Sequence, residues 1–205
     1  MRTWGSFVLM QSRRLLSRQA LVVGSSLLIT SCSGNNGQTD AESVTSGAAS
    51  SSTSMGLIDD ARIQNADSEP GNWLAYGRDF EEQRFSPLTQ INKESVERLG
   101  LEFEVDVHTN GALEATPLMV DNTLYFTTTF SVLHAVNATT GERVWTYDPQ
   151  VPRDFSRRAC CGPISRGAAV YQGNVYLATL DGRLVAINAE TGERVWEVNT
   201  VIDPE

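Results

Sequence analysis

Ala135-Val136-Asn137-Ala138-Thr139-Thr140-Gly141-Glu142-Arg143-Val144-Trp145 returns downstream as Ala186-Ile187-Asn188-Ala189-Glu190-Thr191-Gly192-Glu193-Arg194-Val195-Trp196. The two tryptophans stand 51 residues apart, and the match runs upstream without a gap, pairing Tyr125 with Tyr176 and Leu133 with Leu184. A period of roughly 40–50 residues made of short strands and turns is the mark of propeller blades. One four-stranded blade cannot bury both of its faces alone. Trp145 and Trp196 are therefore expected to pack between neighbouring blades, as structural rather than catalytic residues. Two repeats fall short of a closed ring, which takes roughly four to eight blades, so the expectation is an all-β, incomplete propeller.

Working outward, strand-like runs of Val, Tyr, Leu, Phe and Thr occupy residues 123–129, 132–137, 174–180 and 183–188. Asp121-Asn122, Gln172-Gly173 and Asp181-Gly182 supply turns between them. Asn92 to Gly100 reads as a short helix, with Asn92 as its N-cap and Gly100 past its end. The ordered region is expected to begin near Trp73. Before it, residues 32–67 are rich in Ser, Gly, Thr, Asn, Asp and Ala without apolar periodicity. Such a stretch buries too little apolar surface to offset its ordering entropy, and reads as a flexible tether.

The first 31 residues read as a signal peptide rather than as fold. Arg13, Arg14 and Arg18 form a basic region, and Ala20 to Ile29 a short apolar one. Ten residues are too few for a permanent membrane span, which needs roughly twenty. The end of this stretch, Ile29-Thr30-Ser31-Cys32, resembles a bacterial lipobox, in which Cys32 becomes the lipid-bearing N-terminus. Ser12-Arg13-Arg14-Leu15-Leu16 faintly resembles a twin-arginine export motif, without its usual Phe. The formal net charge is −9. Cleavage before Cys32 removes four of the sixteen basic residues and none of the twenty-five acids, leaving −13. That balance excludes the basic footprint of a nucleic-acid-binding protein.

Residues 72–200 resemble the pyrroloquinoline-quinone (PQQ) alcohol dehydrogenases, eight-bladed propellers whose blades carry Ala-x-(Asp/Asn)-x-x-Thr-Gly-x-x-x-Trp docking motifs. Trp73-Leu74-Ala75-Tyr76-Gly77-Arg78-Asp79 and Arg84-Phe85-Ser86-Pro87-Leu88-Thr89-Gln90-Ile91-Asn92 are similar to that family's opening segment. The resemblance makes residues 68–205 the N-terminal blades of such a propeller and implies a cofactor site at four residues. Cys160-Cys161 would form a strained vicinal disulfide that stacks on one face of PQQ. Glu114, in Leu113-Glu114-Ala115-Thr116-Pro117, would hydrogen-bond the cofactor. Arg166, five residues after Cys161, would meet a PQQ carboxylate, for which a guanidinium fork suits better than an ammonium. The sequence departs from the family pattern at Gly162 and Ser165, where Asp and Asn are usual, so hydrogen bonding under the cofactor is expected to differ.

The resemblance further implies oxidation of primary alcohols to aldehydes, Ca²⁺ or a lanthanide beside PQQ, and a cytochrome c or fused haem domain as electron acceptor. The metal ligands and the catalytic base are expected beyond Glu205. The expected location is the periplasm, lipid-anchored to the membrane. Two other readings share the repeat: a propeller lipoprotein that scaffolds outer-membrane protein assembly, and a quinoprotein dehydrogenase acting on sugars. The combination of Cys160-Cys161, Glu114 and Arg166 separates a dehydrogenase from a scaffold, and the vicinal cysteines favour the alcohol branch.

Overall fold

The structure, a computed structural model, describes residues 6–12, 57–109 and 111–201. In chain order its regular elements are β1 (Ser6–Ser12), α1 (Asp60–Gln64), β2 (Leu99–Asp106), β3 (Leu118–Val120), β4 (Thr123–Thr127), β5 (Leu133–Asn137), β6 (Arg143–Tyr147), β7 (Ala169–Tyr171), β8 (Asn174–Ala178), β9 (Arg183–Asn188) and β10 (Arg194–Asn199), with short 3₁₀ turns between some of them. Two four-stranded sheets, β3-β4-β5-β6 and β7-β8-β9-β10, are antiparallel throughout. Each corresponds to one copy of the repeat, so the two copies are two blades.

The repeated residues are the ones the turn between the last two strands demands. The Asn137 side chain accepts hydrogen bonds from the Thr139 and Thr140 amides at 2.9 and 3.0 Å. Asn188 does the same for Glu190 and Thr191 at 2.9 and 2.8 Å. This is an Asx turn, in which a short carboxamide replaces a backbone acceptor. The Thr140 and Thr191 hydroxyls then each take the amide two residues on, at 3.2 Å. Gly141 and Gly192 follow at φ +75° and +74°, where an L side chain is strained. The equivalence extends to a bulge in each outer strand, which turns Val144 and Val195 out to solvent.

Trp145 leaves its own blade and lies against the second. Its Nε1 donates to the Ala189 carbonyl at 3.0 Å, and the Tyr125 hydroxyl donates to the same oxygen at 3.1 Å. A Cβ on Gly192 would lie 2.7 Å from the indole, so the glycine is required for the close approach as well as for its backbone angle. Trp196 keeps the matching partner within its blade, Tyr176, at 6.0 Å between ring centroids, against 5.8 Å for Tyr125 and Trp145. It remains 41 % exposed where Trp145 is 9 % exposed.

The first blade is covered on both faces, because alternate residues of its strands point to opposite sides. Tyr125, Leu133 and Ala135 join Val175, Leu177, Val185 and Ile187 of the second blade in one core. Leu124, Phe126 and Val136 point the other way, onto Val105 and Val107. Those residues come from β2 and the segment just after it, which the sequence reading did not foresee as a strand. The expected helix over residues 92–100 is instead a capped turn: Asn92 Oδ1 accepts from the Glu94 and Ser95 amides, a single 3₁₀ turn covers Val96–Arg98, and β2 begins at Leu99. Gly100 is a strand residue rather than a helix stop. Phe103 of β2 takes, on Gly141, the place that Trp145 takes on Gly192: a Cβ on Gly141 would lie 2.5 Å from the Phe103 ring. The β2 strand is thus built like the outer strand of a blade preceding the first.

Order also begins earlier than expected. Within the stretch read as a tether, Ile58 is buried and Asp59 caps α1 through the Arg62 amide at 2.8 Å. Arg62 then binds Glu69 and Asp121 at 2.6 and 2.5 Å, which fastens α1 to the β3–β4 turn. Burial and ion pairing fix these residues although their composition is polar. Inside the span read as a signal peptide, β1 pairs antiparallel with β2, from Ser6 opposite Asp106 to Ser12 opposite Leu99. The apolar stretch Ala20–Ile29, Cys32 and most of the expected tether lie outside the described residues.

Candidate functional site

Each blade begins with a short strand, β3 or β7, and the segments just before these strands touch. The Thr116 amide donates to the Arg166 carbonyl at 3.2 Å. Glu114 lies four residues before β3 and Arg166 three residues before β7, so both emerge at this junction. Their side chains meet at 3.7 Å, with Arg166 70 % and Glu114 41 % exposed. At that separation the pair is loose, and among the described residues the Arg166 guanidinium makes no hydrogen bond. Arg166 lines a cavity of about 350 Å³ together with Tyr76, Ser131, Ser165, Gly167 and Thr179. A Cβ on Gly167 would approach the Thr116 carbonyl to 3.2 Å, so a side chain there would crowd the junction.

Cys160 and Cys161 complete the group. Both are exposed, and their Sγ atoms are 2.9 Å apart, as two thiols rather than the expected bond. A disulfide needs about 2.05 Å, so closing it takes an approach of about 0.9 Å together with a two-electron oxidant to accept the electrons as both thiol protons leave. The Cys161 thiol is pushed up from its ordinary pKa, first by the hydrogen bond to Cys160, then by that thiol's charge, by burial and by Glu114, while Arg166 opposes. Glu114 and Arg166 thus both act electrostatically on Cys161.

The loop that carries the cysteines is held from the first blade. The Phe130 amide donates to the Pro163 carbonyl at 2.8 Å, and the Arg153 guanidinium lies 4.1 Å from the centre of the Phe130 ring. Ser131 Oγ accepts from the Leu180 amide at 3.1 Å, tying the turn that holds this loop to the second blade. Phe130 and Ser131 sit at φ +58° and +60°. Two successive non-glycine residues in this region store strain, which structures keep where the surroundings over-determine it.

Tyr76 and Arg84, of the opening segment, also belong here. Tyr76 lines the cavity with Arg166. The Arg84 guanidinium lies 4.3 Å from the centre of the Tyr76 ring. Arg84 first, then Thr116 and the charges of Arg84 and Arg166, hold the Tyr76 phenol below its ordinary pKa. Neither residue stands near the site in sequence, and no spacing rule points to them. A second, larger cavity of about 530 Å³ opens beside Arg78. There Arg78 is already held by the Ala66 carbonyl at 3.0 Å and by Asp67 at 2.8 Å.

This arrangement can bind a planar, anionic, oxygen-rich molecule. It offers an open guanidinium, a carboxylate acceptor and a pair of exposed sulfurs at one junction. That donor set fits PQQ, a flat quinone with three carboxylates. Among the described residues no group of three or more His, Cys, Asp or Glu converges as for a metal ion.

Comparison with known proteins points the same way. Residues 73–203 match the PQQ family model described as the glucose/ethanol/alcohol dehydrogenase β-propeller domain. The dehydrogenase subunit of the quinone alcohol dehydrogenase of Komagataeibacter europaeus is 47 % identical over 153 residues, covering 75 % of this chain and 21 % of that protein. Among solved structures, the quinohemoprotein alcohol dehydrogenase ADHIIG of Pseudomonas putida superposes with a TM-score of 0.70 at 48 % identity, over 72 % of this chain and 22 % of that one. A europium-containing methanol dehydrogenase gives a TM-score of 0.64 at 28 % identity, over 69 % and 25 %. The chain therefore spans about a fifth of the length of the curated relatives it matches.

Proposed function

Because the chain belongs to the PQQ β-propeller family of glucose, ethanol and alcohol dehydrogenases, we propose that it supplies the first two blades and part of the cofactor site of a PQQ-dependent enzyme oxidising primary alcohols to aldehydes. The observation that supports this reading is the loose Glu114–Arg166 pair just before β3 and β7, which acts electrostatically on Cys161, one of the two adjacent sulfurs. Arg166 would bind a carboxylate of the cofactor with its open donors. Glu114 would accept a hydrogen bond from it while keeping Arg166 oriented through their loose pair. Cys160 and Cys161, joined in the exported protein, would give a flat sulfur surface against one face. Bound PQQ supplies the acceptor for the two electrons and proton of the alcohol's C–H bond.

These residues hold and orient rather than react. In this proposal the base that takes the hydroxyl proton, and the ligands for Ca²⁺ or a lanthanide, belong to blades beyond Glu205. The europium in one structural relative supports a lanthanide as an alternative to calcium. A haem group, fused or on a partner cytochrome c, is the proposed electron acceptor, which the quinohemoprotein relative supports. The proposed location is the periplasm, with Cys32 lipidated.

The test is PQQ binding to the full-length protein, followed by the change in cofactor absorbance on titration. Glu114→Ala and Arg166→Ala should each weaken binding by about tenfold or more, the usual cost of losing a hydrogen bond to a charged group. Ethanol should drive dye reduction by the wild-type protein loaded with PQQ and metal. A full-length protein that binds no PQQ, or two variants with unchanged affinity, refutes the dehydrogenase reading and favours a scaffold.

A further inference from the structure

Trp73 pairs with Met119 through both backbone hydrogen bonds, Trp73 N to Met119 O at 2.8 Å and the reverse at 3.1 Å. The chain therefore runs beside β3 in the opposite direction. Three residues further on, the Tyr76 phenol reaches the Thr116 side chain, close to Glu114 in the segment before β3. The chain then closes a tight loop, in which the Arg78 amide donates to Ala75 O at 2.9 Å and the Arg84 amide to Gly77 O at 3.1 Å. Arg78, Glu82 and Arg84 in this loop have φ of +84°, +55° and +54°. Three non-glycine residues in the left-handed region are a costly way to turn a chain, at about 1–3 kcal/mol each. The result is that Arg84 folds back and lays its guanidinium on the Tyr76 ring.

The phenol at this place is neither buried nor part of the core. It is exposed, lines the cavity of Arg166, and has positive charge on two sides, Arg84 on its ring and Arg166 across the cavity. Glu82 lies 3.5 Å from Arg84 and Glu114 3.7 Å from Arg166, so each cation also has one loose acidic neighbour. A hydroxyl donor between two guanidinium groups is suited to an anionic oxygen.

Resting on the PQQ reading above, we propose that Tyr76 is a further cofactor-binding residue: its phenolic O–H donates to a carboxylate of PQQ, and Arg84 is the positioning residue that holds the ring in place. Arg166 and Tyr76 then grip the anionic edge of the cofactor from two blade-junction elements, one from each side of β3. Arg84 acts through the ring face and adds positive potential without touching the ligand.

The experiment is PQQ titration of the full-length protein, with Tyr76→Phe, Arg84→Met and Arg166→Ala measured alongside wild type, and with the unfolding midpoint of each apo-protein recorded. Tyr76→Phe removes only the hydroxyl and keeps the stacking. It should weaken PQQ binding about five- to tenfold, with the unfolding midpoint unchanged. Arg84→Met should weaken binding less, about two- to threefold, through lost potential and ring order. PQQ esterified at its carboxylates should bind wild type and Tyr76→Phe alike, whereas a merely structural role for Tyr76 would weaken the ester and the free acid together. If Arg166→Ala loses PQQ while Tyr76→Phe keeps wild-type affinity, the Tyr76 inference is overturned and the dehydrogenase reading stands. If wild type binds no PQQ, both are overturned.

Discussion

Replacing Trp145 by alanine should destabilise the 205-residue chain far more than replacing Trp196, although the two occupy the same place in the repeat. Trp145 is 9 % exposed and Trp196 41 %. On a side chain of about 250 Å² that difference is about 80 Å², or about 2 kcal/mol at about 25 cal/mol per Å². Trp145 also donates to Ala189 O, a bond that Trp196 lacks among the described residues. Leaving that interior carbonyl with one donor fewer adds about 1 kcal/mol. The expected gap between the two substitutions is therefore about 3 kcal/mol. Urea unfolding followed by far-ultraviolet circular dichroism gives each loss from the shift in midpoint, read only while the m-value holds. Equal losses would refute the claim that Trp145 docks on the neighbouring blade. The same pair measured in a longer chain carrying a following blade should close most of the gap, because Trp196 would then gain its own turn to dock on.

His134 is buried between the Thr128 and Thr146 hydroxyls at 3.3 and 3.2 Å and stacks on Phe126 at 5.2 Å. Burial first, then the charge of Arg143, lowers its pKa to about 4. The unfolded chain takes up that proton near pH 6.5, so this contribution is intact above about 6.5 and is lost as pH falls toward about 4, by up to about 3 kcal/mol. His134→Gln should flatten the pH dependence of unfolding between those limits, and an unchanged slope would contradict the assignment. Intact-mass analysis of the exported full-length protein under denaturing, non-reducing conditions should show Cys160 and Cys161 protected from alkylation until reductant is added; alkylation of both beforehand removes the sulfur platform. Metabolic labelling with a palmitate analogue should tag wild type and not Cys32→Ala, and equal labelling of both removes the anchor.

The blades were legible because their information is local and repeated. Asn137, Thr140 and Gly141, with their copies 51 residues on, each satisfy a bond or a backbone angle inside one turn, so the turn writes itself into the sequence. Glu114, Cys160, Cys161 and Arg166 stand out through their flanking motifs; the structure pairs Glu114 with Arg166 and sets the two sulfurs 2.9 Å apart.

What sequence alone did not carry depends on contacts between distant segments. The start of β2 reads as the end of a helix, although Leu101 to Val107 alternates apolar and acidic residues as a half-buried strand does. Phe103 becomes a docking residue only when Gly141 is beneath it. Ile58 and Arg62 stand in polar surroundings along the chain, and distant partners help fix them: the Gln172 amide on Ile58 and Asp121 on Arg62. Tyr76 and Arg84 join the site because a strand pairing at Trp73 sets their direction and a strained loop returns the guanidinium to the ring. Periodicity reports what a residue does for its own turn or strand face. Docking, edge pairing and the convergence of side chains at a junction are properties of packing, and they were decided in three dimensions.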